Sequence, residues 1–325
     1  MKVSVVIPNW NGLEFLKTCL TSLDKQTFSD FEVIVVDNGS TDGSINYIEK
    51  EFPKYQIIKL PKNIGFSPAV NKGIQKASGK YIALINNDTK VDANCLKYLV
   101  EAIEKDPEIG MVAAKMLKFD SPHIIDSAGD YIDAVGHANN IGMGEKEEKY
   151  KQGKYIFLVT GGGSLIKRVV FEKIGLLDDD YFAYFEDVDF CLRAQMAGFK
   201  AYFEPRAKIL HIHKATSRRN PGFTEYLQFR NMTMTIIKNF PTKLFFIDFN
   251  LIKIILVNLN TVRFLASIGY LKEALAAELY IIRNFSKLLK KRKKIQSEIL
   301  VDVDYIIKNI QPKKVTFFGL IKKGI

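Results

Sequence analysis

The chain has 325 residues, 47% hydrophobic and 26% charged, the composition of a globular protein rather than a disordered, collagen-like or many-span membrane chain. Its cysteines, Cys19, Cys95 and Cys191, are odd in number and far apart, which excludes a disulfide framework or a cysteine zinc site and suits a reducing cytosol. Residues 1–221 balance at 29 basic against 29 acidic side chains, whereas residues 222–325 hold 18 against 7, so the whole net charge of +11 lies in the last third.

Lys2–Ile7 is a β-branched run closed by Pro8 and reads as a buried strand. Leucines at 13, 16, 20 and 23 have helical spacing. The same alternation continues through strands at Phe31–Val36, Gln56–Leu60, Tyr81–Ile85 and Gly110–Met116. Helices are expected between them at Asn46–Phe52, Phe66–Ala77 and Asn94–Lys105. Strand-helix alternation with short loops implies an α/β fold with a mostly parallel central sheet, whose ligands bind beyond the carboxyl ends of the strands. The polar clusters Pro8–Gly12, Asp37–Gly43 and Asn86–Asp88 fall at those ends.

Asp120–Lys154 is rich in Gly, Asp, Asn and Glu and reads as long loops. Beyond it, Tyr155–Val159 reads as a strand, Val169–Ile174 and Glu186–Ala197 as helices, and Lys200–Phe203 and Ala207–Ile212 as two strands. From Pro221 the chain reads as helical, with a dense basic run at Lys287–Lys294. The division expected is a catalytic domain at 1–220 and a basic, amphipathic helical region at 221–325. No signal peptide is expected, because Pro8–Gly12 interrupts the first apolar run. The best candidate span, Leu244–Leu271, carries Asp248, Lys253 and Arg263, so a span is not expected either.

A carboxylate such as Asp37, after a buried strand, can accept a hydrogen bond from a nucleobase imide or a ribose hydroxyl. No GxGxxG or GxxxxGK[ST] loop is present, which speaks against a dinucleotide fold or a P-loop. Asp88 with Asn86 and Asn87 offers hard oxygen donors suited to Mg2+ or Mn2+ on a diphosphate, though such a cluster is also an ordinary turn. On the helix that begins at Glu186, Asp189 and Arg193 are i,i+4 partners and read as a surface ion pair. Asp187 has no such partner and reads either as a helix cap or as a general base in a cleft. His211 and His213 alternate on a strand, so at most one faces a site.

Together the segments VSVVIPNWNG (3–12), VIVVDNGSTDGS (33–44), NIGFSPAVNKGIQKASGKYIALINNDT (63–89), TGGGSLIKR (160–168) and YFAYFEDVDFCLRAQMAGFK (181–200) resemble a family 2 glycosyltransferase of the GT-A fold. The resemblance covers about residues 3–217 in order. FRNMTMTIIKNFP (229–241) is similar to the rhamnosyltransferase-like branch.

The resemblance implies roles. Asp37 would hold a uracil or thymine ring, and Pro8, Asn9, Asn11, Asn38, Asp42, Asn63, Gly65 and Asn71 would line the donor cleft. Asn86 stands where the family's metal motif has its first acid, so it and Asn87 are assigned to the donor, and Asp88 to the metal. His213 would be a third ligand or a phosphate contact, with His211 the alternative. Thr160, Gly161 and Gly162 would face the acceptor. Asp187 would be the catalytic base, with Glu186 beside it.

The implied reaction is a single inverting displacement from a UDP- or dTDP-sugar to a hydroxyl of a glycan or lipid-linked acceptor in cell-surface polysaccharide synthesis. A nucleotidyltransferase is a competing reading, but residues 8–16 hold no Lys or Arg for a triphosphate. A nucleic-acid-binding protein would leave the donor-cleft match unexplained. The basic third is expected to hold the enzyme on an anionic membrane surface, peripherally at the cytoplasmic face, or else to pack on the core or form a dimer contact.

Overall fold

The computed structural model describes residues 1–212 and 220–310. The first elements alternate as β1 (Val3–Asn9), α1 (Leu13–Asp24), β2 (Phe31–Asp37), α2 (Ser44–Glu51), β3 (Gln56–Lys59), α3 (Phe66–Lys76) and β4 (Tyr81–Ile85). Next come β5 (Thr89–Val91), α4 (Cys95–Glu104), β6 (Ile109–Lys118), β7 (Ser121–Ser127), β8 (Asp130–Ile132), β9 (Ala138–Asn140) and β10 (Lys154–Ile156). They are followed by β11 (Gly163–Lys167), α5 (Arg168–Ile174), α6 (Glu186–Met196) and β12 (Lys200–His211). The remainder is helical: α7 (Pro221–Asn239), α8 (Thr242–Phe246), α9 (Asn250–Ser267), α10 (Leu271–Ser297) and α11 (Val303–Ile310).

The central strands lie in the order β12-β6-β11-β4-β1-β2-β3, and all but β11 run the same way. Sandwiched between helices, β1 and β2 are apolar on both faces: Val5, Ile7, Ile34 and Val35 have no exposed surface. α1 buries Leu16, Cys19, Leu20 and Leu23 along one face, as the leucine spacing requires. α3 lies unusually close to the sheet, because a Cβ on Gly73 would sit 2.3 Å from Val6 Cγ1.

The sheet creates the cleft by where its pairing stops. β1 pairs with β2 through Asn9 opposite Asp37, but with β4 only as far as Val6 opposite Leu84. The carboxyl ends of β1 and β4 therefore diverge, and Pro8 falls just past the shared ladder, where its missing N–H costs nothing.

Three expectations are corrected here. Asp120–Lys154 is not loop throughout, since β7 pairs antiparallel with β6 and β8 with β9; polar residues on half-exposed edge strands hid them. Lys200–His211 is a single strand, β12, where two were expected over Lys200–Phe203 and Ala207–Ile212. Pro205 has no N–H for the ladder, so the strand bulges between Glu204 and Lys208, and Arg206 folds back onto Glu204 at 2.9 Å. Of the expected strand Tyr155–Val159, a ladder forms only over Lys154–Ile156; beyond it Leu158 makes an isolated antiparallel bridge with Asp130, and Val159 N–H donates to Cys191 Sγ at 3.4 Å.

The chain divides into two compact units. One comprises Met1–Asp130, Asn140–Ala194 and β12; the other comprises Tyr131–Asn139, Gln195–Gly198 and the C-terminal helices. In the second unit α10 packs on α7 and α9 through Ala274, Ala277, Ile281 and Leu288. Arg292 Nη1 donates to the carbonyls of Ile237 (2.8 Å) and Phe240 (2.7 Å), capping the end of α7. Thr242–Ser267 is long and apolar enough to cross a membrane by length and composition, with a mean hydropathy of 1.5, although the helix is broken at Asp248 and Phe249 (φ +48° and +56°).

Asp42 caps two helices at once. Its Oδ2 accepts from Leu13 N–H (2.8 Å) at the start of α1, and its Oδ1 from Ser44 N–H (3.1 Å) and Ser44 Oγ–H (2.5 Å) at the start of α2. Burial pushes this carboxyl up, but these bonds outweigh burial and hold its pKa below the ordinary 3.8. Asp42→Ala should destabilise the fold by about 1–2 kcal/mol at neutral pH, the cost of a lost N-cap. A depressed folded-state pKa gives stability that is present above about 4 and fades as pH falls. Chemical denaturation of parent and variant at pH 7 and pH 3 checks both; a gap that does not narrow in acid would contradict the capping role.

Candidate active site

Asn9 ties three strand ends together. Its Nδ2 donates to Asp37 Oδ1 (3.1 Å) and Ser40 Oγ (3.3 Å), and its Oδ1 accepts from Asn87 Nδ2 (2.7 Å). Ser40 N–H donates to Asp37 Oδ2 at 2.9 Å, so each oxygen of the fully buried Asp37 accepts one protein hydrogen bond and keeps a lone pair for another donor. Gly12 must lack a side chain because its Cβ would meet Asn87 Nδ2 at 2.2 Å. Asn11, at φ +49°, donates its N–H to Ser40 Oγ and accepts Thr41 N–H, locking the two loops.

Asn38 has the same role in the next loop. Its Nδ2 donates to Asn63 Oδ1 and to the Gly65 carbonyl, each at 3.0 Å, and its Oδ1 accepts Ile64 N–H. Gly65, at φ +101°, lies against Phe182, where a Cβ would be 2.7 Å from the ring. Asn71 is turned away from this group: it donates to Leu177 O (2.8 Å) and Asp179 Oδ1 (2.7 Å) and fixes the segment before α6. Pro8, Asn9, Asn11, Asp37, Asn38, Asn63, Gly65 and Asn87 are thus gathered at the strand ends, while Asp42 and Asn71 are engaged in holding helices and loops.

At the β4–β5 turn, Asn86 Oδ1 and Asp88 Oδ1 are buried without a hydrogen-bond partner. Asp88 Oδ1 is 3.4 Å from His211 Nε2, close enough for an ion pair but not aligned as a hydrogen bond. His211 Nδ1 is 2.7 Å from Asp126 Oδ2 on β7. Burial disfavours the imidazolium, yet Asp126 and Asp88 outweigh it and raise the pKa to about 9. Asp126 therefore orients the ring so that Nε2 faces Asp88, an outer-layer arrangement that carboxylates commonly supply to metal-binding histidines. His213 lies outside the described residues.

Among the described residues no group of three or more His, Cys, Asp or Glu side chains is arranged to hold a metal unaided. The donor set nevertheless fits a divalent ion. Two buried oxygens accept no hydrogen bond, and Mg2+ or Mn2+ ordinarily takes one or two carboxylates, completing its sphere with phosphate and water.

Across the cleft, α6 opens with Glu186 and Asp187. Asp187 Oδ2 accepts Gly161 N–H at 2.9 Å and its Oδ1 accepts Val188 N–H at 2.8 Å. A Cβ on Gly161 would lie 3.2 Å from Asp187 Cβ, and one on Gly162 would lie 2.5 Å from Asn86 Nδ2, so this loop brings Asp187 and the Asn86 turn together only as glycine. Thr160 is half-buried on the same loop. Burial raises the Asp187 pKa, partly offset by those N–H groups, and raises that of Glu186 well above 4.5, assisted by the neighbouring Asp187 charge. A small cavity beside the pair is lined by Phe66, Leu84, Ser164, Glu186, Asp187 and Phe190; Glu186 Oε2 and Ser164 Oγ have no partner in it.

The loop before α6 carries three non-glycine residues at positive φ, Phe182, Tyr184 and Phe185, local strain of the kind concentrated at functional sites. Asp189 forms its ion pair with Arg193 at 2.9 Å, but it is fully buried rather than on the surface, and Tyr181 OH donates to it at 3.3 Å. Arg193 also binds the carbonyls of Ile174 and Leu176, which anchors α6.

Two acids were missed in the sequence. Asp126 and Asp130 lie in the segment read as loops, and their spacing carries no motif. Asp130 accepts from Ser127 Oγ (3.0 Å) and Asn140 Nδ2 (3.1 Å), and burial, with Asp187 second, raises its pKa well above 3.8.

The sequence profile described as glycosyl transferase family 2 matches residues 4–175, just over half of the chain, and the chain belongs to that family. Similar curated proteins include an O-antigen biosynthesis protein, RfbC, of Myxococcus xanthus, 28% identical over 235 residues, covering 69% of this chain and 18% of that protein. A cholesterol galactosyltransferase of Borreliella burgdorferi is 36% identical over 107 residues, covering 32% of this chain and 30% of that protein. The chain thus spans about a third or less of these relatives. Among solved structures, GalNAc-T7 with UDP, GalNAc and Mn2+ superposes with a TM-score of 0.61 at 19% identity, over 74% of this chain and 48% of that one. S. aureus TarS 1–349 in complex with UDP superposes at 0.58 with 16% identity, over 100% of this chain and 92% of that one. These two share the GT-A fold.

Glu186 generates a stability prediction. Its folded-state pKa is raised, so the folded chain binds its proton more tightly than the unfolded chain, and stability falls as pH rises from about 4.5 through the folded value. Glu186→Gln removes that charge and keeps the shape. Thermal melts from pH 5 to 8 should show the variant gaining on the parent with pH; parallel curves would contradict the buried charge.

Proposed function

We propose that the chain is a metal-dependent, inverting glycosyltransferase that moves a sugar from a UDP- or dTDP-sugar to a hydroxyl of a glycan or lipid-linked acceptor, in cell-surface polysaccharide synthesis. Phe229–Pro241 supports the rhamnosyltransferase-like branch for the sugar. The observation that carries the reading is Asp187: one partly exposed carboxylate, fixed by two backbone N–H groups, made more basic by burial, across the cleft from the Asp37 and Asp88 loops.

Asp37 offers its remaining lone pairs to the imide N–H of a pyrimidine, and Asn9 and Ser40 hold it in place. Asp88, with Asn86 beside it, would hold Mg2+ or Mn2+ at the diphosphate, and His211, aligned by Asp126, would join them only on giving up its Nε2 proton. The ion supplies positive charge where the leaving nucleoside diphosphate becomes more negative. Asp187 takes the proton of the acceptor hydroxyl as the acceptor oxygen bonds to the anomeric carbon and the bond from that carbon to the nucleoside diphosphate breaks. The glycine loop at 161–162 leaves that side open to the acceptor hydroxyl. Burial, and the Asp187 charge beside it, disfavour ionisation of Glu186 and so limit the negative charge next to the base. The reaction is placed at the cytoplasmic face of a membrane, where a lipid-linked acceptor is presented; the basic last third supports this.

The direct test is donor hydrolysis by purified protein across a panel of nucleotide sugars with Mg2+ or Mn2+; hydrolysis of none would overturn the reading. Asp88→Ala should abolish the Mn2+ enhancement of UDP affinity measured by calorimetry, and unchanged enhancement would remove Asp88 from the metal site. Asp187→Asn should lower turnover by about 10²–10⁴-fold with donor affinity retained, the contribution of a positioned base. Near-parental turnover in single-turnover kinetics would exclude Asp187 from that role.

A further inference from the structure

α10 carries two apolar stripes on different sides. One, Ala274, Ala277, Ile281, Leu288 and Ile295, is buried against its neighbours. The other, Leu271, Leu275, Ile282, Phe285 and Leu289, recurs at helical spacing and is exposed, Ile282 to 70%. Lys272, Arg283, Lys290 and Lys294 are exposed and also recur at helical spacing; at 3.6 residues per turn they flank the exposed apolar stripe on the side away from the buried one. The helix holds eight basic residues against two acids, Glu273 and Glu278.

α9, which packs against α10, shows the same division. Ile254, Val257 and Leu265 are buried, while Leu251, Ile252, Ile255, Leu256 and Leu259 are exposed. Just before it, Phe246 and Phe249 are 76% and 75% exposed at the helix break.

We propose that the exposed apolar stripes of α9 and α10 form a surface that docks flat on an anionic lipid leaflet, with the basic stripe of α10 in the headgroups. Charge selects this occupant. A second copy meeting the same patch would set the basic stripe against itself, whereas an anionic leaflet complements it. Length argues against crossing: the break at Asp248 and Phe249 leaves α9 as 18 residues containing Lys253 and Arg263, about 27 Å of helix against a hydrocarbon core of about 30 Å. An apolar stripe beside a lysine-rich one is the pattern of helices that lie in the interface. The surface deepens the membrane location proposed above but stands on its own observations.

The test is flotation of the whole protein with vesicles of phosphatidylcholine alone or mixed with an equal amount of phosphatidylglycerol. Binding is expected to the mixed vesicles at low salt, to weaken at high salt and to be slight on phosphatidylcholine. Lys290→Glu with Lys294→Glu should weaken partitioning by about tenfold or more. Ile282→Glu with Phe285→Glu should abolish it, with circular dichroism and donor hydrolysis unchanged in both variants. A parent that stays soluble with the mixed vesicles at low salt overturns the proposal. So does a dimer, seen by light scattering, that Ile282→Glu dissociates, or membrane retention that resists both high salt and alkaline extraction. Flotation without donor hydrolysis would support this surface and count against the transferase reading.

Discussion

The site depends on the point at which β1 stops pairing with β4. Up to Val6 and Leu84 the two parallel strands share a ladder; beyond it they diverge, and the polar ends of β1, β2 and β4 face one crevice. Backbone groups released there need partners, and Asn9 ties the loops that carry them by bonding to Asp37, Ser40 and Asn87 at once. A buried network of this kind fixes the loops relative to one another. The packing there is close enough that a Cβ on Gly12 would meet Asn87 Nδ2 at 2.2 Å.

Opposite that network stands a cluster of buried acids. Asp130, Glu186 and Asp187 each lose solvation, and the Asp187 charge raises the proton affinity of the other two, so ionising one disfavours ionising the others. Asp187 is distinguished within the cluster by its two backbone donors and its partial exposure, which favour its charged form and leave it in reach of a substrate. The same segment is strained at Phe182, Tyr184 and Phe185, so the acids sit on a backbone held by Asn71, Arg193 and the Gly65 contact rather than by its own preferences.

The helical unit follows a different rule. α10 has apolar residues on two sides, and internal packing uses one of them. A soluble helix of this length ordinarily turns a polar face outward, so the second stripe, with lysines beside it, is surface suited to an external partner.

Much of the fold was legible in the chain. Runs such as Val33–Val36 and the spacing of Leu16, Leu20 and Leu23 specify strand and helix locally, because strands buried on both faces must be apolar throughout and helices repeat every 3.6 residues. Asp37 and Asp88 stand out at strand ends and Asp187 in the first turn of a helix, but their roles come from the resemblance to the family, not from those positions. Tertiary structure decided what these patterns do not encode. It set Asp126 beside His211, joining residues 85 positions apart, and it committed Asp42 to two helix caps. It made Lys200–His211 one bulged strand and buried the Asp189–Arg193 pair. Sequence determines which side chains share a face of one element; which elements meet, and so which lone pairs are left for a ligand, is fixed only when the sheet assembles.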